Sequence, residues 1–198
     1  HLLSLKDLNQ SDELEHLLDA GVSSFKIEGR LKDVTYVKNV TAAYRRKLDT
    51  ILKRRPEYAR ASSGTCRYEF APQLDKSFSR GFTNYFLKGR TGDIHSFDTP
   101  KSLGEEMGRM KEMRGNYLTV AGVKSFNNGD GVCFIDEQGR LQGFRVNRVD
   151  GNKLYPQEMP RIALRTVLYR NFDQEFERAL SRKSAERKME LSILLSEN

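Results

Sequence analysis

The sequence contains few of the side chains that hold metal ions or cleave peptides. Its two cysteines, Cys66 and Cys133, are far apart and form no CxxC or Cys/His motif. We therefore expect no metal site and no cofactor held by this chain alone, and so few cysteines are typical of a reducing, intracellular compartment. The three histidines, at positions 1, 16 and 95, stand in no Ser-His-Asp, Cys-His or HExxH pattern. Proteolysis by this chain alone is not expected.

Long hydrophobic runs are also missing. No apolar stretch approaches the roughly 18 residues that a membrane-spanning helix requires. The apolar start, residues 1–5, is too short for a signal peptide and lacks a basic leader. We therefore predict a cytoplasmic protein without a membrane partner. Because the chain begins without methionine and directly in an apolar run, we interpret it as a piece of a longer protein.

Positive charge, in contrast, is abundant. The 198 residues include 34 lysines and arginines against 27 aspartates and glutamates, which gives a formal net charge of +7. This excess favours anionic partners such as RNA, although it is also common on proteins that bind no nucleic acid. The apolar fraction of 37% is enough for an ordinary hydrophobic core. RNA is therefore a candidate partner of a folded chain.

Residues 1–60 show the alternation of strands and helices that is typical of a β/α-barrel. Residues 2–5 are predicted to form a buried strand, followed by a helix that opens at Ser11. Residues 22–27 are predicted to form the next strand, and Asp33 is predicted to cap a second helix. We interpret these two β/α units as the last units of an incomplete barrel. Because a barrel needs eight units, we expect an upstream part of the parent protein, or a second copy in a homo-oligomer, to cover the exposed half-barrel.

Three charged residues, Lys26, Glu28 and Arg30, lie where the second predicted strand ends. In β/α-barrels such positions face the active site, so these residues are the candidate catalytic group. Glu28 is suited to act as a general base or to orient the exocyclic amine of a nucleobase, and the two cations suit a carboxylate or a phosphate. The alternative is a salt-bridged loop that merely joins a strand to a helix.

The remaining chain divides into a connecting segment and a second domain. Residues 61–102 are rich in aromatics, which either pin a long loop to the protein or, with Arg80, Lys88 and Arg90, stack on bases. For residues 103–198 we predict a small, mainly antiparallel β-barrel-like domain with strands in 107–113, 117–120, 132–135 and 144–149. A helix begun by Asn171 or Asp173 and a closing strand at 189–195 should complete it. The predicted fold class is α+β.

Several motifs now become recognisable when they are taken together. In the first half they are Ser-Leu-Lys-Asp-Leu at 4–8, Asp-Ala-Gly-Val at 19–22, Phe-Lys-Ile-Glu-Gly-Arg-Leu-Lys at 25–32 and Phe-Ser-Arg-Gly-Phe-Thr at 78–83. This half resembles the last barrel units of the peptidase U32 family. The second half, with Asn-Gly-Asp-Gly at 128–131 and Leu-Tyr-Arg at 168–170, is similar to the small β-domain that follows the barrel in many members.

The resemblance implies two competing activities for the parent protein. Some members are described as proteases acting on collagen, whereas others are needed to hydroxylate or otherwise modify pyrimidines in ribosomal or transfer RNA. The RNA-modifying members are associated with prephenate and with an iron–sulfur cluster, whose cysteine signature would lie upstream of this chain. We expect an RNA-modifying parent, with collagenase-like proteolysis and a non-catalytic binding module as alternatives, and we expect this chain alone to be inactive.

The resemblance also extends the set of candidate site residues. The barrel-end motif corresponds to Lys26, Glu28 and Arg30, which remain the catalytic candidates. The Arg-Gly-Phe-Thr motif corresponds to Arg80 and Thr83, and the first motif contains Lys6. These last three are candidates for substrate binding.

Overall fold

The computed structural model describes residues 4–97 and 99–196, and within them it contains three α-helices and ten β-strands. In chain order they are β1 (Asp7–Leu8), α1 (Leu14–Asp19), α2 (Val34–Arg54), β2 (Thr65–Tyr68), β3 (Phe82–Thr83), β4 (Glu105–Arg114), β5 (Tyr117–Ala121), β6 (Gly131–Ile135), β7 (Leu141–Asp150), β8 (Lys153–Pro156), β9 (Val167–Phe172), α3 (Gln174–Ser181) and β10 (Ala185–Lys188). A short 3-10 helix, Leu74–Lys76, precedes β3. None of the helices is both long and apolar enough to cross a membrane, as far as the described residues go.

Strands β4 to β9 form a closed antiparallel barrel in the order β4-β5-β8-β7-β6-β9. The prediction of an α+β chain with a small antiparallel barrel is confirmed. Two-residue turns that contain Gly115 and Gly151, both with positive φ, join β4 to β5 and β7 to β8. The interior is filled by Met107, Met110, Leu118, Phe126, Val132, Phe134, Val146, Leu154 and Leu168.

The sequence analysis missed two strands of this barrel, β8 and β9. The first has only four residues and ends at Pro156, so it offers little alternation to detect. In the second, Arg170 interrupts the apolar pattern although it is only 6% exposed. Burial of this arginine depends on distant partners, which the local sequence does not display.

Arg170 is the centre of a buried ion cluster. Its guanidinium lies 2.5 Å from Glu105 and 3.2 Å from both Asp130 and Asp173. Lys76, from the connecting segment, donates to Asp173 at 2.7 Å. Although burial alone would raise the pKa of Glu105 and of Asp173, the hydrogen bonds from these cations hold both pKa values below the usual range. The cluster therefore ties β4, β9, α3 and the connecting segment together.

The strand predicted at residues 22–27 is not observed in this structure, where residues 22–29 have no regular structure. A strand needs a neighbour for its backbone hydrogen bonds, and none of the described strands pairs with this segment. Half of the other predicted strand, residues 2 and 3 of 2–5, lies outside the described residues, and Leu5 forms only an isolated bridge with His95. Instead β1 pairs in parallel with β3, with Asp7 opposite Phe82. The half-barrel is thus not observed among residues 4–97 and 99–196.

The helices follow the local signals more closely. Asp33 caps α2 as predicted, since its Oδ1 accepts from the amide of Tyr36 at 2.7 Å. Helix α1 is shorter than predicted, because residues 11–13 form a turn and the helix begins at Leu14. Asp173, one of two predicted starts, caps α3 through the amide of Phe176 at 2.9 Å.

The predicted closing strand at residues 189–195 is also wrong. The last strand, β10, comes earlier and pairs antiparallel with β2. The alternating apolar side chains after it are 61–92% exposed at Met189, Leu191, Ile193 and Leu195, and no described strand lies beside them. The contact between the C-terminal and N-terminal parts of the chain is made instead by α3. Lys38 of α2 donates a hydrogen bond to the carbonyl of Leu180 in α3 at 2.6 Å.

Candidate functional site

A cleft of about 640 Å³ lies between the loop of residues 25–32, the adjoining part of α2 and the paired strands β1 and β3. It brings Lys26, Glu28 and Arg30 together with Arg80, four of the six candidates from the sequence. Its remaining lining is Asp7, Leu8, Asn9, Gln10, Leu17, Phe25, Ile27, Leu31, Lys32, Tyr36, Val40, Tyr44, Leu74, Phe78 and Phe82. Charged groups therefore line a cleft whose walls are largely apolar and aromatic.

Asp7 fixes Arg80 in this cleft. Its carboxylate accepts from the Arg80 backbone amide at 2.8 Å, from Nη2 at 2.9 Å and from Nε at 3.3 Å. The hydrogen bonds to Asp7 raise the pKa of Arg80 further above its usual range. The parallel pairing of β1 with β3 keeps the two residues adjacent, although 73 positions separate them in the sequence. Arg80 is thus a positioned cation that keeps part of its guanidinium exposed.

The three charged loop residues point into solvent at the edge of the cleft. Glu28 accepts from the backbone amide of Arg30 at 2.8 Å, and its other oxygen is 4.0 Å from Lys26 Nζ. The side chains of Lys26 and Glu28 are 89% and 71% exposed. An ion pair this exposed contributes little to stability, so a salt-bridged structural role has little support. The groups are free to contact a ligand.

Lys32, Tyr36 and Phe78 form the aromatic wall of the cleft. The ammonium of Lys32 lies 3.2 Å from the centre of the Phe78 ring and 5.6 Å from that of Tyr36. Burial lowers the pKa of Lys32, and the nearby Arg80 acts in the same direction. Burial, followed by the charge of Asp7, raises the pKa of Tyr36. This arrangement presents a cation and two rings, which suits a planar anionic ligand.

The sequence analysis did not name Asp7 or Lys32 as site residues. Asp7 stands within the first recognised motif and Lys32 ends the charged one, so both could have been included as flanking charges. The contact between Lys32 and the Phe78 ring could not be predicted, because Phe78 lies 46 positions further along the sequence.

Lys6 and Thr83 lie outside the lining of the cleft. Lys6 forms an ion pair with Asp93, and its alkyl chain packs on Gly81. Thr83 is buried, and its hydroxyl accepts from the amide of Tyr85 at 3.0 Å. In this structure both support the β1–β3 pair that carries Asp7.

The sequence profile of peptidase family U32 matches residues 1–96. The chain belongs to peptidase family U32. It is 43% identical, over 98% of its length, to the 23S rRNA 5-hydroxycytidine C2501 synthase of Escherichia coli, of which it covers 31%. It is 28% identical over 77% of its length to tRNA hydroxylation protein P of E. coli, of which it covers 33%, and 29% identical over 76% to a collagenase of Porphyromonas gingivalis, of which it covers 41%.

The chain therefore spans about a third of the length of the first two of these relatives. No solved structure matches it significantly. The family profile covers the part of the U32 chain that forms the cleft, whereas the similarity to the synthase also includes the barrel.

The cysteines of this U32 chain do not fit an iron–sulfur cluster. Such a cluster is held by several thiolates, and Cys133 is buried in the barrel, where its thiol lies 3.4 Å from the carbonyl of Leu103. Burial raises the pKa of Cys133 to about 12, so the thiol stays protonated. Among residues 4–97 and 99–196, no group of three or more His, Cys, Asp or Glu side chains is arranged to hold a metal ion.

Proposed function

We propose that the protein to which this chain belongs hydroxylates a pyrimidine in ribosomal RNA. The observation that carries the proposal is the 43% identity to the E. coli 23S rRNA 5-hydroxycytidine C2501 synthase, because it extends over 98% of the chain, including both the cleft and the barrel. The similarity to tRNA hydroxylation proteins supports the wider reaction class. The net charge of +7 suits an RNA substrate.

In this proposal the cleft binds and orients the target nucleotide. A carboxylate recognises cytosine by accepting from its exocyclic amine, and Glu28 is the exposed carboxylate at the edge of the cleft. Arg80, held by Asp7, and the two exposed cations Lys26 and Arg30 bind phosphate or another anionic group. A flipped base stacks on the wall formed by Phe78 and Tyr36. Any iron–sulfur cluster that the reaction needs would be held by cysteines outside this chain.

The proposed site is completed by protein that this chain does not provide. From residue 25 to residue 30 the side chains alternate between half-buried and exposed, as they do along a strand, although no described strand pairs with the segment. Leu31, Val34 and Val37 close by are 88%, 68% and 42% exposed. We therefore retain the proposal that residues 22–30 join a β/α-barrel when the rest of the protein, or a second copy, covers this face.

Nucleoside mass spectrometry of ribosomal RNA tests the proposed function. Cells that lack the gene encoding this chain should lose 5-hydroxycytidine from 23S rRNA, and the unaltered gene should restore it. The same gene carrying Glu28→Gln should restore it poorly, because the neutral amide oxygen accepts from the cytosine amine more weakly than a carboxylate does. Glu190→Gln, at an exposed glutamate outside the cleft lining, is the matched control and should restore it fully.

Other outcomes of this experiment point to other functions. Unchanged 5-hydroxycytidine in ribosomal RNA with loss of a hydroxylated pyrimidine from tRNA would transfer the proposal to the reaction of the tRNA hydroxylation proteins. Unchanged RNA together with gelatin hydrolysis by the purified protein, abolished by Glu28→Gln, would support the collagenase-like alternative. Unchanged activity in the Lys26→Ala, Glu28→Gln and Arg30→Ala variants would leave this chain as a binding module.

A further inference from the structure

A row of two tyrosines and two arginines crosses four strands on the outside of the barrel. Arg114 of β4 pairs with Tyr117 of β5, and Arg148 of β7 pairs with Tyr155 of β8. Because Leu118 pairs with Leu154, the two tyrosines are cross-strand neighbours, and their ring centres lie 5.7 Å apart at 49°. Both leucines belong to the barrel core. Since side chains alternate along a strand, the tyrosines face outward.

The cations in this row lie on the rings. The guanidinium of Arg148 is 4.0 Å from the centre of the Tyr155 ring, and the ammonium of Lys153 is 5.0 Å from that of Tyr117. Arg114 is paired with Glu112 at 2.5 Å. Within the described part of the chain, Arg148 and Lys153 contact these rings rather than a carboxylate. Their charge is therefore available to an external anion.

We propose that this row, Arg114, Tyr117, Tyr155 and Arg148 together with Lys153, binds unpaired nucleotides of RNA. The inference rests on the proposed function for its choice of RNA, but it concerns a surface separate from the cleft. Bases stack on aromatic rings and on guanidinium planes, and here two half-buried tyrosine rings lie beside the exposed Arg148. Three inter-strand spacings of about 4.8 Å place the outer arginines roughly 14 Å apart along the sheet. Two bases can stack along this row, on the rings or on the Arg148 guanidinium that lies over one of them, while the flanking phosphates meet the cations.

The competing explanation is that the row only stabilises the barrel, since cross-strand aromatic pairs stabilise sheets. It accounts for the contact between the tyrosines. It does not explain why Arg148 and Lys153 contact rings rather than a carboxylate on the outer face of the barrel. Cation–ring contacts at such a site contribute little to stability. The two explanations differ in what happens to RNA affinity when the rings are removed and the fold is retained.

Fluorescence anisotropy with a 12-nucleotide single-stranded RNA of mixed sequence distinguishes them. The 198-residue chain should bind this probe, with affinity falling as salt rises from 50 to 200 mM. The double variant Tyr117→Leu/Tyr155→Leu should bind at least about 25-fold more weakly, because each of the two stacked bases contributes about fivefold or more. Tyr117→Phe/Tyr155→Phe keeps both rings and should bind within about twofold of the unaltered chain.

A second double variant tests the proposal even if the leucine substitutions unfold the barrel. Arg148→Gln/Lys153→Gln keeps the rings and should reduce the slope of log affinity against log salt by about 1.4, at about 0.7 for each phosphate contact to a single strand. Arg46→Gln on the exposed side of α2 is the charge control, and Phe86→Leu in the connecting segment is the aromatic control. Neither should change the affinity. Thermal melting of each variant establishes that the barrel is folded.

The proposal is overturned if the unaltered chain does not bind the probe, if folded tyrosine and cation variants bind as well as the unaltered chain, or if Phe86→Leu causes the loss instead. The proposed function is judged separately, by 5-hydroxycytidine in cellular RNA. If hydroxylation depends on the gene but substitutions in this row leave RNA affinity unchanged, the inference is refuted and the proposed function stands.

Discussion

Replacing Arg170 with methionine should be among the most destabilising single substitutions in this chain. The guanidinium lies within 3.2 Å of three carboxylates that are themselves 0–7% exposed. Methionine fills a similar volume but leaves these carboxylates without their common cation. Removing one partner of a buried ion pair costs about 3–5 kcal/mol. Lys76 and Lys124 remain beside Asp173 and Glu105, so we expect the lower half of this range rather than its sum over three pairs.

Urea denaturation followed by circular dichroism measures this loss. With an m-value of about 2 kcal/mol/M, a loss of 3–4 kcal/mol lowers the midpoint by about 1.5–2 M. Arg178→Met, at an exposed arginine on α3, is the control and should change the free energy of unfolding by less than about 0.5 kcal/mol. A loss below about 1 kcal/mol for Arg170→Met would refute the assigned role of the cluster.

The pH dependence provides an independent check. In the unaltered chain the pKa values of Glu105 and Asp173 are lowered. Their contribution is thus fully present above the unfolded pKa values of about 4 and is lost as pH falls through the folded ones. Without Arg170 their burial should instead raise these pKa values above the unfolded ones. The variant should then become more stable as pH falls from 7 to 5, whereas the unaltered chain should change little in that window.

Three further predictions concern local features. Asp33→Ala should cost about 1 kcal/mol of unfolding free energy by removing the cap of α2, and Asp33→Asn should cost less. Gly104→Ala should destabilise the chain more than Gly115→Ala in the same denaturation assay. Both glycines have positive φ, but a Cβ at position 104 would lie 2.1 Å from a backbone oxygen, whereas at 115 nothing lies within 4 Å. In native conditions at pH 8, Cys66 should react with a thiol reagent much faster than Cys133, whose pKa of about 12 and burial suppress the thiolate.

The features that the sequence predicted correctly depend on short-range signals. Asp33 and Asp173 cap helices through amides only three residues away. The turn at Gly151 requires a positive φ that glycine adopts readily. Four barrel strands were recognisable from their apolar side chains, which in each strand face the interior of the barrel. Such signals are contained within a few positions of the chain.

The features that were missed depend on distant partners. Residues 22–27 and 189–195 have the composition of strands, yet neither segment has a neighbouring described strand. Arg170 is buried because residues up to 65 positions away supply carboxylates. At the candidate site, Lys26, Glu28 and Arg30 could be named from the sequence, but the Asp7–Arg80 pair that fixes the opposite wall could not, because β1 and β3 meet only in the folded chain.

Buried ion pairs and hydrogen bonds connect the cleft to the barrel. The Arg170 cluster fastens α3 to the barrel, and through Lys76 it also holds the segment that leads to Phe78 and Arg80. On its other side α3 contacts α2 beside the charged loop, through the bonds from Lys38 and the 3.2 Å bond from Thr35 to Glu177. An RNA bound by both the outer face of the barrel and the cleft would thus contact two parts of the chain that these buried groups join. In the proposed function, the buried charges that stabilise this fold therefore also hold together the two surfaces that contact the RNA.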